Sequence, residues 1–165
     1  MIELDKLEYW AGKKEKKNLK FRTFLKTHAD PKELDRQFAA LHKELFAQID
    51  CSKCRNCCKK CHGTIPFADI GKDAEFLGMA EDEFRQTYLQ KEADAEGFNT
   101  INVPCDFLRD NECILADNMP VACKDFPHTD KPNRLESLFA VLDFTFICPV
   151  VYEIVERLKE MYNFM

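Results

Sequence analysis

The sequence predicts a mainly α-helical protein with a loop-rich, cysteine-rich metal-binding centre and at most a small β element (α+β). Three observations predict this class. Apolar residues recur at helical spacing in residues 34–49 and 150–162, toward the two ends of the chain. Five of the nine cysteines fall within residues 51–61. Residues 98–127 instead combine short alternating runs with turn-forming residues.

The first element is a helix around residues 13–26, where seven basic side chains are accompanied by one acid, Glu15. A short lysine-rich run is typical of the solvated face of a helix. A patch that binds RNA or another polyanion is the alternative, and the net charge of −5 argues against nucleic acid as a partner. The buried side of this helix is expected to contain Tyr9, Trp10, Phe21, Phe24 and Leu25.

A second helix is expected to begin at Asp30-Pro31 and to run to about Asp50. Asp30 can cap the helix, Pro31 suits the first helical position, and Glu33 can complete a capping box. An amphipathic pattern follows, with spacings of three and four residues, at Leu34, Phe38, Leu41, Leu45 and Ile49.

The middle of the chain predicts shorter elements. Helices are expected at about residues 70–78, ending at Gly78, and at about residues 80–91, with Phe84, Tyr88 and Leu89 inward. Residues 98–103 alternate as a strand does, and Asp110-Asn111 indicates a turn.

The C-terminal part returns to helix. Residues 135–146 are apolar and ambiguous between helix and strand. A last helix is expected to bury Val150, Val151, Ile154, Val155, Leu158, Met161 and Tyr162.

At 165 residues the chain is expected to form one compact unit. Residues 1–49 are expected to form an N-terminal helical segment that packs on a cysteine-cluster domain, residues 50–165. No apolar run approaches the length of a membrane span. The acidic start, residues 1–5, does not resemble a secretory signal, so the expected compartment is the cytoplasm.

The cysteine spacing indicates metal binding. In a reducing compartment, an odd number of densely packed thiols favours metal over disulfides. Two successive Cys-x-x-Cys steps join Cys51, Cys54 and Cys57, and Cys58 follows directly. Adjacent cysteines do not easily reach the same side of one metal, so two metals, a polynuclear cluster or one bystander thiol remain open. Buried inert thiols are the non-functional alternative, and the segment has almost no other apolar residue to support it.

The order of the cysteines resembles a known family. Cys51-x2-Cys54-x2-Cys57-Cys58 is followed by Pro104-Cys105, then Cys113, then Cys123 before Phe126-Pro127, and finally Cys148-Pro149. This order resembles the CxxCxxCC zinc- or iron-chelating family (YkgJ type), to which the flagellin lysine-N-methylase is related. The resemblance covers about residues 50–150. Cys61 lies outside the pattern.

The resemblance implies eight metal ligands: Cys51, Cys54, Cys57, Cys58, Cys105, Cys113, Cys123 and Cys148. Zinc is the expected cofactor, and an iron–sulfur cluster is the alternative. The expected function is a thiolate metal protein with a structural or partner-presenting role. A redox or methyl-transfer iron–sulfur protein is the alternative function. Metal ions and a protein are the expected partners. Association with a membrane is not expected.

The sequence leaves enzymatic activity open. His62 abuts the first cysteine cluster and His128 follows Phe126-Pro127, so either could replace a thiolate. No His-Glu-x-x-His pattern accompanies them, and each is expected to lie at the surface or to contact a metal ligand rather than the metal. His28 and His42 are expected to face solvent.

Overall fold

The computed structural model describes residues 1–91 and 97–165, and these are mainly α-helical with two small antiparallel sheets. The predicted fold class is therefore confirmed. The chain forms two compact units, a helical unit of residues 1–50 with 127–165 and a cysteine unit of residues 51–126. The expected division into residues 1–49 and 50–165 stays a prediction. No helix in the described ranges is both long enough and apolar enough to cross a membrane.

In chain order the α-helices are α1 (Leu4–His28), α2 (Pro31–Phe46), α3 (Cys51–Cys54), α4 (Asn56–Lys60), α5 (Ile70–Phe76), α6 (Glu81–Tyr88), α7 (Val121–Lys124), α8 (Arg134–Phe144) and α9 (Pro149–Met161). The strands are β1 (Thr64–Pro66), β2 (Leu89–Lys91), β3 (Gly97–Thr100), β4 (Leu108–Arg109) and β5 (Glu112–Cys113). Short 3-10 turns occupy Phe67–Asp69 and Ala116–Asn118.

The start of α2 follows the sequence signal. The Asp30 carboxylate accepts a hydrogen bond from the Glu33 N–H at 2.8 Å, and Pro31 occupies the first turn. The helix ends at Phe46 rather than near Asp50. The Gln48 N–H donates to the Leu45 carbonyl three residues back, which tightens the last turn and stops the helix.

The helical unit packs α1 and α2 against α8 and α9. The ambiguous stretch at residues 135–146 is helical. Its N-terminus is capped from α2, because the Asp35 carboxylate accepts the N–H groups of Asn133 and Arg134 at 2.9 and 2.8 Å. The buried apolar residues of this unit are Leu7, Ala11, Phe21, Leu25, Leu34, Phe38, Leu41, Leu45, Leu138, Val141, Leu142, Val150, Val151, Tyr152, Ile154, Val155 and Leu158.

The predicted burial of Tyr9 and Trp10 is wrong. Their exposed fractions are 60% and 44%. The buried stripe of α1 runs through Leu7, Ala11 and Leu25, and each residue turns the helix by about 100°. Tyr9 therefore points away from that stripe, and Trp10 lies at its edge. Met161, also expected in the core, is exposed at the end of α9.

The cysteine unit contains a three-stranded antiparallel sheet in the order β1–β3–β2. The strand expected at residues 98–103 is present at Gly97–Thr100. The helix expected to reach Lys91 instead ends at Tyr88, because Leu89 pairs with Thr100 as part of β2. The sheet borders an apolar core that contains Ile65, Ile70, Ala74, Phe84, Leu89, Phe107 and Leu115.

A tight hairpin joins β4 and β5 in the same unit. Asp110 and Asn111 both have positive φ, +48° and +63°, as two-residue hairpin turns of type I′ require. The expected turn is therefore confirmed. The Asn111 side-chain amide donates to the carbonyl of Lys53 at 3.0 Å, so the hairpin tip is tied to α3.

Candidate metal centre

The first cysteine cluster folds into two one-turn helices. Arg55 separates α3 from α4 in the left-handed conformation, with φ +50°, and its N–H donates to the Cys51 carbonyl at 3.1 Å. Neither helix contains a buried residue. Helices of this length are not stable by themselves in water. The segment therefore needs a source of stability other than apolar burial.

The adjacent cysteines at the end of this segment differ from ordinary thiols. A hydrogen bond from the Cys57 side chain lowers the pKa of Cys58 to about 6, although burial opposes the change. The positive charges of Arg55 and Lys59 contribute to this lowering. The Cys58 sulfur is therefore favoured as a thiolate at neutral pH, and thiolate is the form that binds metal.

Three later cysteines lie around Cys58. The Cys105 N–H donates to the Cys58 carbonyl at 2.8 Å. The pKa values of Cys105 and Cys113 are raised, and that of Cys123 is raised to about 11. Burial is the main cause in all three cases. Negative charge at Cys58 raises the pKa of all three as well, so the four sulfurs are within electrostatic reach of one another.

Backbone N–H groups point at these sulfurs. Cys105 accepts from the N–H of Phe107, and Cys113 accepts from the N–H of Leu115, in each case two residues further along the chain. The N–H of Thr64 in β1 donates to Cys123. Such donors stabilise a thiolate over a thiol and therefore oppose the effect of burial.

Thr100, at the end of β3, forms hydrogen bonds with Gly63 and with the Cys105 sulfur. It is fully buried, and its hydroxyl accepts the Gly63 N–H at 2.9 Å. The same hydroxyl hydrogen-bonds the Cys105 sulfur and lowers the pKa of that thiol. A Cβ on Gly63 would lie 3.2 Å from Cys105 Sγ, so the glycine permits this close approach. Neither residue is predicted from the sequence, since an isolated Thr or Gly carries no recognisable signal that it supports a metal ligand.

Cys61, outside the family pattern, is nevertheless near Cys58. Burial is the main cause that raises the pKa of Cys61, and negative charge at Cys58 adds to it. The neighbouring His62 donates from Nδ1 to the Thr100 carbonyl at 2.7 Å. One ring nitrogen of His62 is thus committed to the backbone, as in a histidine that supports the site from outside.

The other histidines belong to the helical unit. His28 is exposed at the end of α1, as expected. His42 is half-buried and hydrogen-bonds the Thr129 hydroxyl at 2.8 Å, so its predicted solvent-facing position is wrong. Its pKa is lowered, mainly by burial. His128 has φ +61°, and its carbonyl accepts from Arg134 Nη1 at 2.7 Å.

The remaining predicted ligands are placed differently. Cys51 and Cys54 lie at the two ends of α3, exposed and half-buried respectively. Cys148 is buried in the helical unit, directly before Pro149 at the start of α9. Across residues 1–91 and 97–165, no three His, Cys, Asp or Glu side chains already surround one metal-sized position. The eight-residue ligand set stays a prediction.

A polar cavity of about 570 Å³ opens beside Cys113. Four of its lining residues, Arg55, Asp110, Asn111 and Ala116, have positive φ. Backbone in this region is uncommon for residues other than glycine and is concentrated at functional sites. The cavity gives ions and small molecules a route from solvent to this thiol.

A scan against protein-family models found one whose cysteine pattern gives the family its name, CxxCxxCC. It matches residues 50–148, more than half of the chain. The chain belongs to the CxxCxxCC family. That family is described as a "putative zinc- or iron-chelating domain". Searches of curated proteins and of solved structures found no match. The CxxCxxCC match covers the whole cysteine unit and extends to Cys148, so metal chelation is the general function that it supports.

Proposed function

We propose that this CxxCxxCC protein binds zinc through cysteine thiolates and that the metal holds the cysteine unit in its folded form. The proposed ligands are drawn from Cys51, Cys54, Cys57, Cys58, Cys105, Cys113, Cys123 and Cys148. The bound metal serves a structural role or shapes a surface for a protein partner. The reducing cytoplasm, which keeps thiols available for metal, is the proposed compartment.

The proposal rests mainly on the arrangement around Cys58. Its sulfur and those of Cys105, Cys113 and Cys123 come from distant parts of the chain, yet negative charge at Cys58 raises the pKa of all three later cysteines. Several mutually repelling thiolates are costly without a cation. Zinc accepts four thiolates and leaves the site with a net charge of about −2. Arg55, whose charge lowers the pKa of both Cys58 and Cys113, offsets part of that negative charge.

The structural role is inferred from the lack of buried side chains in the first cysteine cluster. The helices α3 and α4 have no buried side chain, whereas Cys105 and Cys113 pack against the apolar core. Ligation would connect the poorly packed segment to the well-packed one. In metallodomains of this kind the free energy of metal binding is also free energy of folding.

Elemental analysis of the purified protein tests the proposal directly. We expect zinc to copurify, and Cys113→Ser to lower the zinc content by at least one equivalent or to prevent soluble expression. Cys61→Ser is the matched control, since it removes a nearby thiol that is outside the proposed set, and it should retain full metal content. Metal-free wild-type protein from zinc-supplemented cells would contradict the proposal.

A second measurement tests the structural role. Removing the metal with a strong chelator should expose α3 and α4 to limited proteolysis and lower the melting temperature. Restoring zinc should reverse both effects. An unchanged digestion pattern after verified metal loss would show that the metal has no structural role.

The same thiolates could hold an iron–sulfur cluster, because iron shares the preference for sulfur. In that case the protein would belong to the redox or methyl-transfer class. Anaerobic purification distinguishes the two proposals. A brown protein with iron and acid-labile sulfide in equal amounts would favour the cluster, and a colourless zinc protein would favour the structural site.

A further inference from the structure

The outward side of α1 carries six residues that the core does not use. We define the basic face of α1 as Tyr9, Trp10, Lys13, Lys16, Lys17 and Lys20. At about 100° per residue, all six lie within an arc of about 120°. The three acids of the helix, Asp5, Glu8 and Glu15, fall outside this arc. Basic and aromatic side chains are thus grouped on one surface.

The two aromatic rings of the basic face are open to solvent. Tyr9 and Trp10 are 60% and 44% exposed, and their rings meet edge to face with centroids 5.3 Å apart. The ammonium group of Lys13 lies 5.4 Å from the centre of the Tyr9 ring. Exposing two large rings has a cost in water, and adjacent exposed aromatics are typical of binding surfaces.

The lysines of the basic face are not neutralised by the protein. Among residues 1–91 and 97–165, Lys13, Lys16, Lys17 and Lys20 form no ion pair, whereas Lys14 on the core side faces Glu156 at 3.4 Å. The helix α1 has eight Lys and Arg residues against three acids, although the whole chain has a net charge of −5. Net charge averages over the surface and hides this local excess.

We propose that the basic face of α1 binds single-stranded nucleic acid, with phosphates on the lysines and bases stacked on Tyr9 and Trp10. Proteins that bind single strands without sequence preference combine these two features, a positive track and aromatic platforms. From Tyr9 to Lys20 the face is about 17 Å long, which suits a few nucleotides. The proposal does not depend on the metal centre, because none of these six residues is a proposed ligand.

Two other polyanions fit the basic face less well. A helix that lies on a membrane inserts its apolar stripe, and the apolar stripe of α1 is already buried in the helical unit through Leu7, Ala11, Phe21 and Leu25. An acidic protein would satisfy the lysines but would leave the two exposed rings without a stacking partner. A single-stranded nucleic acid supplies both, negative charge from its phosphates and flat faces from its bases.

Trp10 makes the test direct, because it is the single tryptophan of the chain. Titrating the full-length protein with an oligo(dT) or oligo(U) of 12 nucleotides, at low salt, should quench tryptophan fluorescence as bases stack on the ring. The affinity should fall with salt. If all four lysines contact phosphates, the slope of log K against log salt is about −2.8.

Matched variants separate the basic face from charge in general. Lys13→Gln/Lys16→Gln/Lys20→Gln should reduce the magnitude of the salt slope by about 2. The control Lys26→Gln/Lys32→Gln/Lys43→Gln removes the same charge from exposed lysines elsewhere and should leave the slope unchanged.

Aromatic variants test the stacking itself, with a labelled oligonucleotide and fluorescence anisotropy as the readout. Trp10→Ala should weaken binding about fivefold to 150-fold, and Trp10→Phe should restore most of it. Phe139→Ala, which removes another exposed ring, is the control and should have no effect.

Three results would overturn the proposal. The first is absence of oligonucleotide binding at low salt. The second is equal affinity for polyglutamate, which has charge without bases. The third is tighter binding to phosphatidylserine vesicles with a blue shift of Trp10 emission, which would assign the face to membranes.

Discussion

Thr100→Val removes one hydroxyl from the centre of the cysteine unit and keeps the shape of the side chain. That hydroxyl accepts the Gly63 N–H and hydrogen-bonds the Cys105 sulfur. The Gly63 N–H also reaches the Cys105 sulfur, so it is not left wholly without an acceptor. We therefore expect the free energy of unfolding of the metal-free protein to fall by about 1 kcal/mol, the low end of the range for a disrupted buried hydrogen bond.

The free energy of unfolding of the metal-bound protein should fall by more than that of the metal-free protein. Hydrogen bonds to a charged group contribute about 1.5–3 kcal/mol, and the Cys105 sulfur is charged when it binds metal. The difference from the metal-free protein, about 0.5–2 kcal/mol, corresponds to zinc affinity about twofold to 30-fold weaker, which overlaps the effect of removing groups that support metal ligands. A competition titration against a chromogenic chelator measures that affinity.

Two variants make the result specific. Thr100→Ser restores the hydroxyl and should recover wild-type zinc affinity. Thr145→Val removes an equally buried hydroxyl, one that donates to the Leu142 carbonyl in the helical unit, and should lower stability without changing zinc affinity. The Thr100 hydroxyl does not support the metal ligand if Thr100→Val binds zinc as tightly as the wild type, or if Thr100→Ser binds zinc as weakly as Thr100→Val.

Three further predictions concern other positions. Gly97→Ala should destabilise the cysteine unit by several kcal/mol in denaturant melts, because its Cβ would lie 2.3 Å from the Ile65 carbonyl oxygen. Gly12→Ala, with its nearest neighbour at 3.9 Å, should instead stabilise α1 by about 1 kcal/mol. Asp73→Asn should raise the melting temperature at pH 7, because burial raises the pKa of this carboxyl and makes its ionised form unfavourable in the folded state. The gain should shrink as the pH falls toward 3.8, the ordinary pKa, where Asp73 is protonated with or without folding.

Specific results would contradict the first and the third of these predictions. A stabilising Gly97→Ala would show that β1 and β3 are not paired as described. Asp82→Asn, at an exposed carboxyl in α6, should not change the melting temperature at pH 7. An Asp73→Asn gain that is equally large at pH 7 and pH 4 would indicate a packing effect rather than relief of a buried charge.

Local signals in the sequence predicted the ends of several elements. Asp30-Pro31 starts α2, Gly78 with φ +69° follows α5, and Asp110-Asn111 forms the hairpin turn. Each of these depends on the conformational preference of one or two residues. Such preferences act within a few residues and can be recognised without knowledge of the rest of the fold.

Features that depend on distant residues were not predicted. Residues 89–91 continue a helical pattern, and only pairing with β3 makes them a strand. Likewise, the apolar character of Trp10 suggested burial, whereas the positions of the neighbouring helices decide which side of α1 is covered. The approach of Cys105 to Cys58 also depends on the sheet, through Gly63 and Thr100. The family pattern named these cysteines but not the residues that support them.

The division of the chain has a consequence for its synthesis. The cysteine unit is one continuous stretch, residues 51–126, whereas the helical unit needs residues 127–165 to cover α1 and α2. A ribosome adds about 5–20 residues per second, so α8 and α9 are synthesised several seconds after α1 and α2. Every thiol of the cysteine unit has been synthesised by then. Seven of the eight proposed ligands are therefore made before the helical unit can close, and a shortage of metal would act on the protein during translation, when α1 and α2 still expose their apolar sides to chaperones.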